Sequence, residues 1–214
     1  MTLNIDVYSD VICPWCFVGK HRLEKALAAV KDRFEARVTW HPFELNPDLP
    51  KEGLNRKEYR SAKFGSWEKS LALDAQVKQA GASEGIGFRH DLMEKTPNTF
   101  DAHKLILLAG REGVQDKVAA AVFNGYFVEG KDVGDRDTLI EIGAAAGMDA
   151  ERVKTFLESD ESTSAVVEAE AKGRELRIDG VPNFIINNQV SFSGAQSVET
   201  FIKAFEQATN AEAA

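Results

Sequence analysis

The chain predicts an α/β fold in which a small sheet, assembled from the two ends of the sequence, is interrupted by an all-helical insertion. Three observations carry this expectation. The first ~45 residues read strand–helix–strand, the stretch between Leu45 and Ile178 shows helix-period patterning with no strand of comparable quality, and strand patterning returns after Gly180. The division that follows places residues 1–46 and 177–214 in a sheet-bearing domain and residues 47–176 in the helical insertion.

Each element has its own signal. Leu3, Ile5 and Val7 alternate with Asn4, Asp6 and Tyr8, the period of a strand. Ser9-Asp10 turns the chain into Cys13-Pro14-Trp15-Cys16. Leu23, Leu27, Val30 and Phe34 then recur at helical spacing, so a helix is expected from Pro14 to Arg33, with the proline in the first turn where its missing N–H is not needed. Arg37 to Phe43 is β-branched and aromatic and reads as the second strand, ending near Pro42. Within the insertion, Asn55 and Glu58 are spaced as a capping box. Leu105, Leu108 and Ala109 share a helix face that closes near Gly113, and Val118, Val122 and Tyr126 share the next. Asp137 is read as opening a helix through Leu139 and Ile142 that stops at Gly147, Asp149 as capping one that carries Val153, Phe156 and Leu157, and Ser162 to Leu176 as one long helix. Asn183–Ile186 and Val190–Ser193, joined by Asn187-Asn188-Gln189, predict a hairpin. Ser197 caps a last helix with Val198, Phe201, Ile202 and Phe205 on one face, and Asn210 to Ala214 reads as a frayed tail.

Composition excludes several function classes. Twenty-six Lys and Arg against 34 Asp and Glu give a net charge of -8, a surface that repels phosphate backbones, so nucleic acid is not an expected partner. No apolar run reaches the ~18 residues that cross a bilayer, so no membrane partner is expected. The N-terminus enters its first strand without a basic stretch and long apolar core, and the chain, read as the whole gene product, is expected in the cytoplasm.

The two cysteines sharpen the reading. They stand three positions apart, too close to staple a long loop, so they serve chemistry, hold a metal or simply pack. A zinc site needs a second cysteine pair or a histidine pair. His21, His41, His90 and His103 show no such spacing, and the sequence supplies half a site at most. Redox chemistry fits the pattern best. A strand delivers Cys13 to a helix mouth, where unpaired N–H groups and the helix dipole favour a thiolate. One turn later Cys16 is placed to resolve a mixed disulfide. Pro14 stiffens the loop. Trp15 adds a bulky uncharged face that offers the thiolate no charge, which predicts a milder oxidant than a motif with histidine at that position. Pro182 opens a strand although it cannot donate to a ladder, so either it starts an edge strand in trans or its geometry serves the site.

Ser9-Asp10 through Cys13-Pro14-Trp15-Cys16, Gly19, Asn98-Thr99 with Ala102-His103, Gly180-Val181-Pro182 and Ser193-Gly194-Ala195-Gln196 together resemble the DsbA-like thioredoxin superfamily, and within it the FrnE branch of cytoplasmic thiol oxidoreductases. The resemblance covers essentially the whole chain. It implies a thioredoxin-like fold with a helical insertion and a site in the groove between them. It also implies Cys13 as nucleophile, Cys16 as resolving thiol, Pro182 as a cis-proline against them, and Val181 as a backbone contact for substrate. Protein or small-molecule thiols and disulfides are then the partners, glutathione a possible co-substrate, and the Cys13–Cys16 disulfide itself the redox group, with no further cofactor and no metal. Chromene-carboxylate isomerases and kappa-class glutathione transferases share the scaffold but typically carry serine in place of Cys13. A glutathione-dependent isomerase or transferase is therefore the first rival, and a holdase that binds unfolded chains the second. Asn183 departs from the bulkier apolar residue usual in this branch.

Two further sets of residues are open. His103 stands on an insertion helix and is either a groove contact for bound peptide or glutathione or, the commoner case, a structural residue. Phe17, Phe43 and Phe184 flank the motifs, either as an apolar rim for unfolded polypeptide or as core. The charged run Lys131 to Asp137 lacks the ligand spacing of a calcium loop and reads as a solvated turn.

Overall fold

The structure, a computed structural model, describes residues 2–210. Part of the tail expected to fray, residues 211–214, lies outside the described residues.

Four strands form one mixed sheet. β1 (Thr2–Ser9) runs parallel to β2 (Glu35–Pro42) through the crossover helix α1 (Pro14–Val30), and antiparallel to β5 (Asn183–Ile186), which pairs with β6 (Val190–Ser193). The order β2-β1-β5-β6 places β1 inside the sheet, and its C-terminal half, Val7–Ser9, is buried on both faces while Asn4 is exposed. Leu3, Ile5 and Val7 are fully buried on one face. On the other, the Tyr8 ring stacks on His41 at 4.7 Å and meets Gly173, where an added Cβ would lie 3.0 Å from the ring. The expected hairpin is present. Asn187 and Asn188, both with positive φ, make its turn, as asparagine tolerates the left-handed region better than most residues.

The helices follow caps and periodicity. α1 ends at Val30, earlier than its apolar pattern suggested, because a turn takes over at Lys31 and brings Phe34 back onto Val30. α2 (Arg56–Phe64) starts at Asn55, whose side chain accepts the Glu58 N–H, and ends on Gly65 with φ 87. α3 (Trp67–Glu84), capped by Ser66, received no boundaries from the sequence. α4 (Phe100–Arg111) and α5 (Gln115–Phe127) fall where expected. α6 (Arg136–Ala145) is opened by Asp135 and not by Asp137: the Asp135 carboxylate accepts the Thr138 N–H, and Asp137 sits inside the first turn. α7 (Ala150–Glu158) has the Asp149 cap, and α8 (Asp160–Glu175) starts two residues before Ser162 because Ser159 caps it. α9 (Val198–Asn210) buries Phe201 and Phe205 against the sheet, with Phe201 edge-on to Phe184 at 4.8 Å. The expectation of no strand between Leu45 and Ile178 is corrected by a short ribbon, β3 (Leu54–Asn55) with β4 (Lys95–Thr96). Two residues per strand are too few for any period-2 pattern to show.

One continuous core joins sheet and insertion, and its seam runs through Phe17, the residue after Cys16. Phe17 packs on Phe88 edge-to-face at 5.9 Å, and stacks on Phe123 at 5.3 Å and Phe127 at 5.9 Å. Phe17 and Phe184 are buried and belong to the core, while Phe43 is half-buried. Phe88 leaves no room behind it: a Cβ on Gly81 of α3 would come within 2.4 Å of its ring. Gly81→Ala is therefore expected to destabilise the protein by about 1–2 kcal/mol, overpacking outweighing the gain in helix propensity. Chemical denaturation measures this, and an unchanged or higher midpoint contradicts it.

Candidate active site

The site begins with a turn. Asp10 follows β1 and its carbonyl accepts the Cys13 N–H at 3.0 Å, swinging the chain so that Cys13 becomes the N-cap of α1 with φ -86 and ψ 111. Pro14 follows at the first helical position. The Cys16 and Phe17 N–H groups both point back at Cys13, donating to its carbonyl at 3.0 and 3.4 Å, which sets its sulfur at the positive end of the helix. Nothing in the side chain of Cys13 caps the helix, so Sγ is left to face outward chemistry.

The second element is the turn before β5. Val181–Pro182 is cis, and the Cys13 thiol donates to the Val181 carbonyl oxygen at 3.6 Å. This approach needs Gly19, one turn beyond Cys16 on α1, because a Cβ there would lie 3.2 Å from both Pro182 and Phe184. The Ser193–Gln196 turn closes the rear: Gly194 N–H donates to the Pro182 carbonyl at 2.8 Å, and Arg22 of α1 donates to the Ala195 carbonyl while pairing with Glu84 of α3 at 2.8 Å. Asn183, the departure noted in the sequence, is buried and donates to the Ser193 hydroxyl at 2.9 Å, so it ties β5 to β6.

The two sulfurs sit in unlike surroundings. Cys16 is 1% exposed, and burial pushes its thiol well above the ordinary range. The neighbouring Cys13 adds to this, while the Ser9 hydroxyl and the Asp10 N–H pull the other way. Cys13 opens instead onto a cleft of about 380 Å³ between the motif and the insertion. Trp15, Leu45 and Leu73, each 39% exposed, form its apolar rim. Tyr59 and Lys63 of α2 form its polar wall, both donating to the Asn46 carboxamide oxygen. Arg60 also lines the cleft, but its charge is spent on Asp74, which clamps α2 to α3 by also binding Arg56. Lys63 has no carboxylate within ion-pair distance among the described residues.

Cys13, Cys16, Pro14, Trp15, Val181 and Pro182 are thus brought together. His103 is not: it is 2% exposed, and Nε2 lies 3.6 Å from the buried Asp10 carboxylate, behind the motif and away from the cleft. The wall residues Tyr59 and Lys63 escaped sequence reading, although the Asn55 cap, which fixes the phase of α2, places them one turn apart on one face. The described residues include no group of three or more His, Cys, Asp or Glu arranged to hold a metal, and no helix long and apolar enough to cross a membrane. A larger groove, about 1020 Å³ between β2, α4 and α8, contains neither cysteine.

Comparison with known proteins agrees with this geometry. Residues 4–206 match the model of the DSBA-like thioredoxin domain. The Bacillus subtilis (strain 168) protein YwbO is 31% identical over 207 residues, 95% of this chain and 96% of its own length. The crystal structure of the probable DsbA oxidoreductase SCO1869 from Streptomyces coelicolor superposes with a TM-score of 0.88 at 33% identity, covering 97% of this chain and 90% of that one. The cytosolic disulfide reductase DsbM from Pseudomonas aeruginosa, solved with GSH, shares the fold at a TM-score of 0.63 and 16% identity, with 98% of each chain covered. By sequence, fold and the placement of its two cysteines, this chain belongs to the DSBA-like thioredoxin domain family of oxidoreductases.

Proposed function

We propose that the protein exchanges disulfides with polypeptide and small-thiol substrates through Cys13 and Cys16. One observation carries this reading: Cys13 caps a helix at the floor of a cleft with its sulfur against the Val181 carbonyl, and Cys16 lies buried one turn behind it. In the reducing direction the Cys13 thiolate attacks a substrate disulfide, a Cys13–substrate disulfide forms, and the first substrate thiolate leaves and takes up a proton. Cys16 then gives up its proton and attacks Cys13 Sγ, the bond to substrate breaks, and the second thiolate departs. The substrate gains two electrons and the enzyme is left as the Cys13–Cys16 disulfide, with the reverse sequence oxidising a dithiol. The buried state of Cys16, which disfavours its thiolate, keeps the two roles apart.

The cleft supports a substrate that combines an apolar group with a carboxylate. Trp15, Leu45 and Leu73 accept the first, and the Lys63 ammonium, held by Tyr59 and Asn46, attracts the second. Glutathione disulfide and mixed disulfides of glutathione with proteins have this chemistry; after a protein mixed disulfide is reduced, two reduced glutathiones return the enzyme to its dithiol and leave as glutathione disulfide. A cytoplasmic setting, where glutathione keeps thiols reduced, makes reduction or isomerisation the working direction. The uncharged Trp15 fits that direction, since it gives the Cys13 thiolate no electrostatic support.

Two outcomes test this. Cys16→Ser is expected to accumulate a disulfide between Cys13 and added glutathione disulfide, visible by mass spectrometry of the intact protein, while Cys13→Ser forms no such adduct and loses disulfide reduction. Retained turnover in Cys13→Ser would point to isomerase or transferase chemistry instead. The reduction potential of the wild-type pair is expected below the ~ -120 mV of DsbA, and Trp15→His is expected to raise it. A wild-type potential at or above that value, or a fall on substitution, contradicts the reading.

A further inference from the structure

Behind the cleft lies a charged cluster that the exchange chemistry does not use. The Leu45–Asn46 wall belongs to a short strap, Phe43–Asn46, that leads from β2 into the insertion. Its backbone is held at three points: Phe43 N–H donates to the Ser9 carbonyl at 3.2 Å, Glu44 N–H to Glu170 Oε1 at 2.8 Å, and Leu45 N–H to Asp10 Oδ2 at 2.7 Å. Two of these three acceptors are carboxylates, Asp10 fully buried and Glu170 nearly so. The strap then hands the restraint on, because the Asn46 side chain is what holds Tyr59 and Lys63 in the cleft wall.

The Glu44 carboxyl turns back into the same place. Its Oε1 is buried with no hydrogen-bond partner, and so is Nε2 of His103, which faces Asp10 Oδ1 at 3.6 Å from α4. Around Glu44 therefore stand Asp10 from the β1–α1 turn, Glu170 from α8 with Arg174 3.7 Å from its other oxygen, and His103 from α4, with the Tyr126 phenol of α5 near Asp10. Burial, with Glu170 and Asp10 close by, disfavours a charge on Glu44.

We propose that Asp10, Glu44, Glu170 and His103 form a proton-linked clamp that sets the Leu45–Asn46 wall of the cleft and thereby governs how tightly substrate is held. All four are positioning residues: none lines the cleft. Burial, with Glu170 and Asp10 adding and His103 opposing, raises the Glu44 carboxyl to about 7. Below that pH Glu44 is neutral, and the two carboxylates keep the strap's N–H groups. Above it a third negative charge appears beside them and loosens their hold. The proton is bound more tightly in the folded than in the unfolded chain, so its stabilisation is complete below the ordinary glutamate range and is lost as pH rises through about 7.

The clamp rests on the reading of this cleft as the substrate site, and two measurements separate failure of one from failure of the other. The first follows protection of the Glu44 and Leu45 amides by hydrogen-exchange NMR, corrected for intrinsic base catalysis, from about pH 6 to about pH 8.5 in wild type and Glu44→Gln. Protection is expected to fall on the order of tenfold through the transition in wild type and to stay at its low-pH level in the variant. His103→Asn is expected to move the wild-type transition upward, since the imidazole's opposing pull is gone. The second follows KM and kcat for glutathione disulfide over the same range, with excess dithiothreitol as the reductant that returns the Cys13–Cys16 disulfide to its dithiol. KM is expected to rise with pH in wild type and stay low in Glu44→Gln, with kcat at low pH alike in both. Flat amide protection in wild type, or an identical transition in Glu44→Gln, overturns the clamp whether or not the protein turns over disulfides. A pH-dependent protection with no turnover leaves the clamp standing and overturns the substrate reading.

Discussion

Everything in this molecule converges on the contact between the mouth of α1 and the cis turn before β5, where the Cys13 sulfur meets the Val181 carbonyl. A thiol at a helix N-cap is electrostatically favoured as an anion but chemically idle until a substrate sulfur can be lined up against it. The turn places the Val181 carbonyl beside the sulfur. The contact is narrow, and several sequence choices exist to permit it. Gly19 clears the path for Pro182 and Phe184, the Asp10 turn aims Cys13, and Arg22 fixes the Ser193–Gln196 turn that backs Pro182. The fold brings together residues 13 and 181 from opposite ends of the chain by making β1 the centre of the sheet, flanked by β2 on one side and β5 on the other.

The insertion does more than cover the sheet. Its aromatic residues Phe88, Phe123 and Phe127 enclose Phe17 and so bury the first turn of α1 from behind, which leaves Cys16 sealed at 1% exposure while Cys13, 6% exposed, lines the cleft. Its first helix, α2, supplies the polar wall of the cleft, and its last, α8, supplies Glu170 to the strap that carries Leu45 and Asn46. The polar wall of the cleft and the unlike burial of the two thiols thus come from the same body of helices, while the two sulfurs come from the other.

Much of this was legible in the sequence, and the reasons for the rest are physical. Strand alternation in Leu3–Tyr8, the Asn-rich hairpin turn and the Asp149 cap are local signals, and the elements formed where they pointed. The Cys13–Cys16 pair and Val181–Pro182 are likewise local and lie together as the family pattern implied. Long-range packing left no such trace. The β3–β4 ribbon is too short for a period, α3 presents exposed Leu71 and Leu73 that blur its amphipathic face, and His103 could not be placed as buried without knowing that Asp10 faces it. Glu44 and Glu170 stand 126 residues apart, and no local pattern in the sequence ties one to the other.

The central claim is that the two thiols are unequal because of where the fold puts them. Timed alkylation of the fully reduced protein with iodoacetamide near neutral pH, with the modified cysteine identified by peptide mass spectrometry, tests it most directly. Cys13 is expected to be modified first, with a rate at least about tenfold above that of Cys16, whose thiol is sealed by burial. Equal rates, or modification of Cys16 ahead of Cys13, would contradict the account.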